Sequence, residues 1–374
     1  TKCLNLLKCI ILVLLISFIF YTPKAVILNE VNLSADVLKA LSQNKPILAL
    51  ESTIITHGLA YPTNLKTQQN LQEIAIRMNV TPATIAIING KPTIGLTSQQ
   101  LQDLATSKSA IKASTHDMQF IKAFGKTAST TVAATTHIAS LANIDVFSTG
   151  GIGGVHRFMD KFEFDVSADL TELIKSKTIV VSAGCKAILD LRGTLEVLET
   201  NQVLTVGYQT KEMPAFYSRK SGIELEYQIN SSAEAAQLFQ AAQKGYLLLN
   251  PIPQEFEIPT EEIEPFIVEA IKSMPNDIKG KKVTPYLLQK MSEITKERSV
   301  SANLALIENN VKVGCQIAAE IKKLQGKNWK NPVFWMCGQL GITNLQGVVV
   351  GILAVFVGLV FVGKKEDKIA RVKV

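Results

Sequence analysis

Residues 178–191 read TIVVSAGCKAILDL, and this stretch decides the fold class. Its first half, TIVVSAG (178–184), is an apolar run rich in β-branched residues that ends in small residues, which is typical of a buried strand. In CKAILDL (185–191) the apolar residues lie three and four positions apart, which predicts the start of a helix. A buried strand followed at once by a helix is the repeating unit of an α/β fold.

The same alternation of strand and helix patterns extends upstream. Predicted strands are ILALEST (47–53), TIAII (84–88), a short run near 110–113 and IDVFSTGG (144–151). Predicted helices cover 65–78, 96–105 with a threonine N-cap, 130–141 and 170–176. Continuous apolar strands separated by amphipathic helices predict a three-layer α/β/α sandwich with a central, mainly parallel sheet.

Composition excludes several classes of protein. Among 374 residues, 47% are hydrophobic and 19% are charged, so the chain is neither disordered nor fibrous. The five cysteines are far apart and form no CxxC pair, which excludes a disulfide scaffold and a structural zinc site. The net charge of +7 resides entirely in residues 322–374. The neutral remainder offers no surface for a phosphate backbone, so we expect no nucleic-acid partner.

The two ends differ from the body of the chain, which we place at residues 30–326. Residues 1–29 form an apolar leader or anchor-like segment, whose uncharged run 9–21 has the length of a signal-peptide core. Residues 327–374 form a basic tail with a candidate transmembrane segment at 347–363. A buried core helix and a gene-model artefact remain alternatives for this tail. We expect membrane contact only through these ends.

Several short motifs resemble signatures of nucleotide-binding or catalytic sites but lack a residue that the signature requires. TGGIGG (149–154) has His156 where a dinucleotide fingerprint needs its third glycine, although a phosphate- or sugar-binding turn stays open. The run Gly125-Lys-Thr has Phe120 in place of the first P-loop glycine. The SxxK pattern ending at Lys112 has no accompanying KTG, and the four histidines lack HExxH spacing.

Polar residues follow four of the predicted strands. Glu51 ends the first strand, Lys112 lies at another, Asp165 and Asp169 follow the glycine turn, and Lys186 follows the TIVV strand. Ligands of such sheets gather at the carboxyl ends of strands, so we expect an acid, amines and a metal site there. For single residues the alternatives are a helix cap at Asp165 and a surface lysine at Lys186.

Longer motifs closely resemble the pseudouridine-5′-phosphate glycosidase family, and the resemblance covers residues 34–324 but neither end. The motifs are ALESTIITHGLAYPTN (49–64), PATIAIINGKPTIGL (82–96), TVAATTHIASLANIDVFSTGGIGGVHR (131–157), FDVSADLTEL (164–173) and VSAGCKAILD (181–190). The resemblance implies reversible cleavage of the C–C glycosidic bond of pseudouridine 5′-phosphate to uracil and ribose 5-phosphate. It also implies a cytoplasmic homotrimer with one divalent ion, Mn²⁺, per subunit.

Motif positions of the family assign roles to residues of this chain. Glu51 is expected to be the proton donor, Lys186 the nucleophile that forms a Schiff base, and Asp165 the metal ligand. The expected substrate contacts are Lys112, Val132, Ser167, Ala168 and Asp169, with His156 and Asn250 near the sugar or the base.

The chain also departs from the family pattern. Two arginines of the usual K-x-S-R-R-D are replaced by Thr115 and His116, and Phe158 stands where a glycine is usual. If the arginines hold phosphate, binding is expected to be weaker here, because histidine carries little charge at neutral pH. Three hypotheses follow: an active enzyme, an inactive family member that binds or is membrane-tethered, and an enzyme for another C- or N-glycosyl phosphate.

Overall fold

The computed structural model describes residues 31–157, 165–242, 244–275 and 277–329, with side chains to residue 326. The chain divides into two units, residues 1–321 and 322–374, and the fold below is that of the first. In the second, residues 322–329 are helical. The apolar segments 9–21 and 347–363 lie outside the described residues. No helix among the described residues is both long and apolar enough to cross a bilayer.

The structure contains short strands separated by helices. The strands are β1 Asn32–Leu33, β2 Ile47–Leu50, β3 Thr81–Ile88, β4 Lys91–Ile94, β5 Ile111–Ala113, β6 Ala128–Thr130, β7 Val146–Ser148, β8 Val155–His156, β9 Ile179–Ser182, β10 Leu189–Asp190, β11 Thr205–Tyr208, β12 Tyr227–Ile229 and β13 Leu247–Leu249. The helices are α1 Ala35–Ser42, α2 Thr63–Arg77, α3 Ser98–Thr106, α4 Met118–Ala123, α5 Val132–Leu141, α6 Ala168–Leu173, α7 Leu191–Thr200, α8 Ser232–Ala242, α9 Thr260–Lys272, α10 Val283–Ile294 and α11 Arg298–Trp329.

A central sheet of eleven strands carries the fold. Its order is β1-β4-β3-β2-β7-β9-β13-β11-β12, with β6 also paired to β3 and β5 paired to β6. The seven strands from β3 to β12 along this order run parallel, and β1, β4, β5 and β6 run against them. The central strands β2, β7 and β13 are buried throughout because helices cover both faces. The predicted mainly parallel α/β/α sandwich is confirmed.

Helix caps follow from the sequence in several places. Thr97 caps α3 in a capping box with Gln100, as the threonine N-cap predicted. Ser167 caps α6, since its Oγ accepts from the backbone N–H of Asp169 at 3.2 Å. The alternative that Asp165 is a helix cap is therefore wrong.

The helix predicted at 185–191 is also wrong. Residues 185–188 form a loop, β10 follows, and α7 begins at Leu191 with Asp190 as its cap. The side chains of Cys185, Ala187 and Leu189 are all buried, so the apolar spacing reflects burial of an irregular loop on several sides. Tertiary packing overrides the local pattern here.

Candidate active site

A cavity of about 690 Å³ opens where β2, β7 and β9 end. Nine of the ten residues predicted from the sequence line it, and Asn250 does not. The nine are Glu51, Lys112, Val132, His156, Asp165, Ser167, Ala168, Asp169 and Lys186. The structure thus brings the predicted acid and both predicted lysines into one chamber.

Glu51 is the first residue after β2 and projects into this cavity. Thr149, from the turn after β7, donates its hydroxyl hydrogen to Glu51 Oε1. Burial raises the pKa of the Glu51 carboxyl, while the charge of Lys186 and the Thr149 hydrogen bond oppose that rise. A carboxyl with a raised pKa is suited to donate a proton near neutral pH.

Lys112 also lines the cavity, although its strand, β5, runs in the direction opposite to β2. Strand β2 pairs with the first half of β3, where Leu50 is opposite Thr84, and β6 pairs with the second half, where Ser129 is opposite Ala86. The carboxyl ends of β2 and β6 therefore meet head to head along β3. Lys112 lies on β5, beside β6 and opposite Ser129.

The junction between β2 and β6 is fixed by Ser52. Its Oγ donates to the carbonyl of Ile85 at 2.6 Å and accepts from the N–H of Thr130 at 2.9 Å. Thr53 adds a hydrogen bond from its hydroxyl to the carbonyl of Thr130 at 2.8 Å. These bonds hold the residues next to Glu51 against the sheet that carries Lys112.

The environment of Lys112 favours the neutral amine. Burial is the main cause that lowers its pKa, and the charge of Lys186 lowers it further. The carboxylates of Asp169 and Glu51 act in the opposite direction. The net effect is a lowered pKa for the Lys112 amine.

Lys186 lies in the loop after β9, and both its side chain and its backbone form hydrogen bonds with the glycine turn. Its Nζ donates to the carbonyl of Gly151 at 2.8 Å, and its backbone N–H donates to the carbonyl of Ile152 at 3.1 Å. Gly184 has φ of +92°, and a Cβ there would lie 2.2 Å from the carbonyl oxygen of Pro214. Glycine is therefore required to turn the chain towards Lys186.

Arg157 supports the rest of the Lys186 loop. Its guanidinium donates to the carbonyls of Ala187 at 3.0 Å and Leu189 at 3.1 Å, and pairs with Glu264. A planar guanidinium can satisfy several acceptors at once. Burial raises the pKa of the adjacent Cys185 thiol to about 11, so this cysteine is no competing nucleophile.

The glycine turn 149–154 packs on Asp169 and forms no dinucleotide site. Asp169 Oδ2 accepts from the N–H of Gly153 at 2.8 Å, and Oδ1 accepts from the N–H of Ala133 at 2.8 Å. A Cβ at Gly153 would lie 2.3 Å from Ser167 Oγ. Asp169 thus ties the glycine turn to the first turn of α5, and both its oxygens are engaged by backbone.

The first turns of two helices border the cavity through predicted residues. Val132 begins α5, and Ser167 and Ala168 are the cap and first residue of α6. Backbone N–H groups in a first helical turn have no partner within the helix and favour anions. A phosphate or a sugar hydroxyl fits this border better than an apolar group.

Asp165 presents a carboxylate at the cavity, and in the described part of the chain few other side chains that could bind a metal lie near it. Its Oδ2 lies 3.9 Å from His156 Nε2, and its side chain is 46% exposed. The described residues contain no group of three or more His, Cys, Asp or Glu side chains that could hold a metal. One accessible carboxylate fits a hard divalent ion that keeps most of its waters or takes substrate oxygens.

The environment of His156 favours the neutral form of its imidazole ring. Burial lowers its pKa, the Asp165 carboxylate opposes this effect, and Lys186 and Lys112 reinforce it. A neutral imidazole can donate or accept one hydrogen bond at each nitrogen.

Asn250 lies beneath the glycine turn. Its Nδ2 donates to Asn310 Oδ1 at 2.9 Å, and Asn310 Nδ2 donates to the carbonyl of Thr149 at 2.8 Å. Ser148 Oγ donates to the carbonyl of Asn310 at 2.9 Å. This geometry gives Asn250 a supporting position under the turn, away from the surface a substrate would touch.

The lining residues that sequence reasoning missed include His57, Phe216, Lys281 and Asn303. Phe216 has φ of +63°, and a Cβ on Gly151 would lie 2.6 Å from its ring. Lys281 Nζ donates to both oxygens of Asp117, at 2.6 and 2.5 Å. His57, Phe216 and Asn303 lie within stretches that resemble the family, namely ALESTIITHGLAYPTN (49–64), PAFYSRKSG (214–222) and SANLALIENN (301–310), but the resemblance assigned them no role. Lys281 lies outside these stretches, so no local spacing could reveal it.

Of the residues that depart from the family pattern, the structure describes His116 and Thr115 but not Phe158. His116 lines the cavity, with Nε2 3.3 Å from Asp117 Oδ1. Lys281 brings an ammonium group to the same carboxylate from a distant part of the chain. Phe158 lies outside the described residues.

A doubly covered, mainly parallel sheet with a partly buried acid and two partly buried lysines around one cavity defines a class: an enzyme that acts on a small polar ligand. A family model described as indigoidine synthase A like protein matches residues 36–320. The chain belongs to this family, and the recognition made from its motifs is confirmed.

Two curated relatives with the same name are similar to this chain over most of its length. Pseudouridine-5′-phosphate glycosidase of Petrotoga mobilis is 48% identical over 295 residues, which is 77% of this chain and 96% of the relative. The protein of the same name from Caldanaerobacter subterraneus is 46% identical over 300 residues, with 79% and 97% covered. The prediction of an enzyme of the glycosidase type is confirmed.

Two solved structures are also similar. An indigoidine synthase A-like protein of Thermotoga maritima has a TM-score of 0.71 and 35% identity, covering 78% of this chain and 97% of that one. The prealnumycin C-glycosynthase AlnA, solved in complex with ribulose 5-phosphate, has a TM-score of 0.73 and 32% identity, with 79% and 98% covered.

Proposed function

We propose that this protein reversibly cleaves the C–C glycosidic bond of pseudouridine 5′-phosphate to give uracil and ribose 5-phosphate. The observation that carries the proposal is that Glu51 and Lys186 line one cavity, with Lys186 Nζ anchored on Gly151. The names of the curated relatives and the sugar phosphate bound to AlnA support this substrate class.

The residue types suit a bond in which carbon must leave. A ring carbon leaves poorly with the electron pair, so the enzyme must stabilise the electron-poor C1′ of the ribose and protonate the departing carbon. In the proposed mechanism Lys186 Nζ attacks C1′ and the C1′–O4′ bond breaks, which opens the ribose ring. The nitrogen lone pair then forms the C=N bond of a protonated imine as the C1′–C5 bond breaks, and C5 of uracil takes a proton together with that bonding pair. The hydrogen bond from Lys186 Nζ to Gly151 holds the amine while its lone pair stays available.

Glu51 supplies protons in this scheme. Its raised pKa favours the protonated carboxyl, which gives its proton to O4′ as the ring opens. The Glu51 carboxylate then takes the proton that Lys186 Nζ loses on bonding to C1′ and passes it to C5 of uracil.

The remaining predicted residues bind and orient the substrate. The first turns of α5 and α6, at Val132 and Ala168, provide N–H groups for the phosphate or sugar oxygens, and the Ser167 hydroxyl borders the same part of the cavity. Asp169 fixes these turns against each other, and Asn250 supports the glycine turn through Asn310. Lys112 and His156 complete the polar wall.

A divalent ion, Mn²⁺ by family resemblance, is part of the proposal. Asp165 would hold it, and a bound ion supplies positive charge that orients anionic oxygens of the substrate. The proposal further includes a cytoplasmic homotrimer that acts in pseudouridine breakdown.

A substrate panel tests the proposed activity. The purified protein with Mn²⁺ should release uracil from pseudouridine 5′-phosphate, detected by chromatography, and should form pseudouridine 5′-phosphate from uracil and ribose 5-phosphate. Activity on other C- or N-glycosyl phosphates alone would favour the related-enzyme hypothesis. Binding of ribose 5-phosphate with no turnover of any panel member would favour the inactive family member.

Removal of the metal should abolish most activity. We expect chelation to lower turnover about 100-fold, because the ion neutralises anionic oxygens in a partly buried site, and Mn²⁺ to restore it. Asp165→Ala should stay inactive at all Mn²⁺ concentrations and lose Mn²⁺ binding in calorimetry. Asp103→Ala, on the exposed face of α3, is the matched control and should respond like the unmodified protein. Full activity after chelation would disprove the metal assignment.

A further inference from the structure

We propose that His57 is the general base that activates water for hydrolysis of the imine in the second half of the reaction. The inference rests on the proposed function and assigns a residue and a step that the rest of the mechanism leaves open. Both oxygens of Asp169 accept backbone hydrogen bonds, and Glu51 Oε1 accepts from Thr149 and serves the proton transfers of the first half of the reaction. His57 provides a separate acceptor for the proton of the attacking water.

His57 lies close to the acid along the chain and faces the same cavity. Residues Ile54–Gly58, which follow Glu51 after two residues, form a single π-helical turn. Such turns occur frequently at functional sites because they redirect side chains. Asn64 holds the turn by donating from Nδ2 to the carbonyl of Ile55 at 2.5 Å, and His57 lines the cavity.

A chain of hydrogen bonds fixes which ring nitrogen carries the proton. The carbonyl of Ile111 can only accept, so Ser129 Oγ, 3.5 Å away, donates to it. Having spent its one hydrogen, Ser129 Oγ accepts from Thr56 Oγ1 at 2.6 Å. Thr56 Oγ1 has then also spent its hydrogen and must accept from His57 Nδ1 at 2.5 Å.

The neutral ring of His57 therefore has its hydrogen on Nδ1 and a free lone pair on Nε2. No described residue forms a hydrogen bond with Nε2. Burial lowers the pKa of His57, and the positive charge of Lys112 on β5 lowers it further, so the neutral form is favoured. Hydrogen-bond geometry and charge environment agree on a ring that is ready to accept a proton.

The proposed step balances without a further reactant. After uracil leaves, Lys186 Nζ is joined to C1′ as a protonated imine. The water oxygen bonds to C1′, the π pair of the C=N bond moves to the lysine nitrogen, and the proton of water passes to His57 Nε2. That proton returns to the lysine nitrogen, which makes it a leaving group and leaves His57 neutral again. As the C1′–N bond breaks, the C1′ hydroxyl loses its proton to His57 Nε2 and the aldehyde of ribose 5-phosphate forms, and His57 then releases this proton to solvent.

Replacement of His57 by asparagine tests the assignment. Asn Nδ2 takes the place of Nδ1–H towards Thr56, so the hydrogen-bond chain is kept while the base is lost. We expect rapid-quench experiments on pseudouridine 5′-phosphate to show a burst of one uracil per site, followed by turnover about 100-fold slower than in the unmodified protein. The fraction of enzyme trapped by borohydride as the Lys186 adduct should rise during this slow phase.

His137→Asn is the matched control. His137 lies on α5, outside the residues that line the cavity, and its Nδ1 is 2.9 Å from Glu172 Oε1. We expect its turnover to stay within about twofold of the unmodified protein, with no burst. If His57→Asn does not fold, Thr56→Val provides a second test, because loss of the Nδ1 acceptor should slow hydrolysis about 10-fold and retain the burst.

Each outcome bears on a different claim. Turnover of His57→Asn close to that of the control, or loss of the burst together with turnover, would overturn the role of His57 and leave the proposed function intact. Unchanged hydrolysis in Thr56→Val would also contradict it. Absence of uracil release from the unmodified protein and from His137→Asn would overturn the proposed function, and the role of His57 with it.

Discussion

Replacement of Lys186 by alanine should lower turnover of pseudouridine 5′-phosphate by about 10⁴-fold, while the protein still folds and binds ribose 5-phosphate. The amine is the only group in the proposed mechanism that forms a covalent bond with the substrate, so no other residue can replace it. Its loss leaves the Gly151 carbonyl facing the cavity, where water can satisfy it. Uracil release measured by chromatography and ribose 5-phosphate binding measured by calorimetry separate the two effects.

Borohydride added during turnover should identify the residue directly. Reduction of an imine fixes the ribose phosphate to the enzyme, and peptide mapping should place the added mass on Lys186. Lys186→Arg should be as inactive as the alanine variant, since a guanidinium stays protonated and forms no imine. Lys112 is the internal control because it is a second partly buried lysine in the same cavity. An adduct on Lys112, or near-normal turnover of Lys186→Ala, would disprove the mechanism.

Glu51→Gln should lower turnover by about 10²- to 10⁴-fold and at the same time raise the temperature of unfolding at neutral pH. The activity falls because glutamine cannot donate the proton. The stability rises because burial raises the pKa of Glu51 in the folded protein above its ordinary value of 4.5. Ionisation of this carboxyl therefore costs folding free energy, and an uncharged glutamine of similar shape avoids that cost.

The pH dependence of stability gives the sign of this effect. In the pH range between the ordinary and the raised pKa of Glu51, the folded state binds more protons than the unfolded state, so stability falls as pH increases. Thermal unfolding of the unmodified protein should show this decline above pH 4.5, and Glu51→Gln should show less of it. Thr149→Val, which removes the hydrogen bond to Glu51 but keeps the carboxyl, should retain the decline. Equal pH profiles for the unmodified protein and Glu51→Gln would contradict a raised pKa.

The strands that form the cavity were predictable from sequence because each is a short apolar run with a polar residue at its end. β2, β7 and β9 all lie within predicted runs, and the lining residues Glu51 and Lys186 follow β2 and β9. Burial on both faces of a parallel sheet produces such runs, so the pattern reports a physical constraint. The same constraint explains why the site residues fall at strand ends.

The structure around Lys186 was not predictable from local pattern. The apolar spacing in CKAILDL matches a helix, but Gly184 turns the chain and the buried side chains of Cys185, Ala187 and Leu189 pack an irregular loop. The carbonyls of that loop are satisfied by Arg157, whose contribution depends on its pairing with Glu264. A partner 107 residues away in the chain leaves no local signal.

Lys112 lines the predicted site, but the rule that placed the site at the carboxyl ends of strands does not explain its position. The rule that ligands gather at the carboxyl ends of parallel strands does not apply to β5, which runs against β2. Lys112 lies near Glu51 because β3 is longer than β2, so the β5–β6 pair occupies the rest of its edge. The direction of a strand depends on which strand it pairs with, and the short apolar runs of the sequence do not indicate that partner.

Asn310 has a consequence for how the protein is made. Its backbone carbonyl and side chain bind Ser148 and Thr149, which precede it by 162 and 161 residues, and no earlier part of the chain provides those contacts. At about 5–20 residues per second, the ribosome needs roughly 10–30 s to advance from the glycine turn to α11. During that interval the emerging polypeptide has its catalytic strands but lacks the residue that locks the turn between them. Contacts of such long sequence separation form late in folding, so the nascent enzyme should become competent only after nearly all of its catalytic domain has been synthesised.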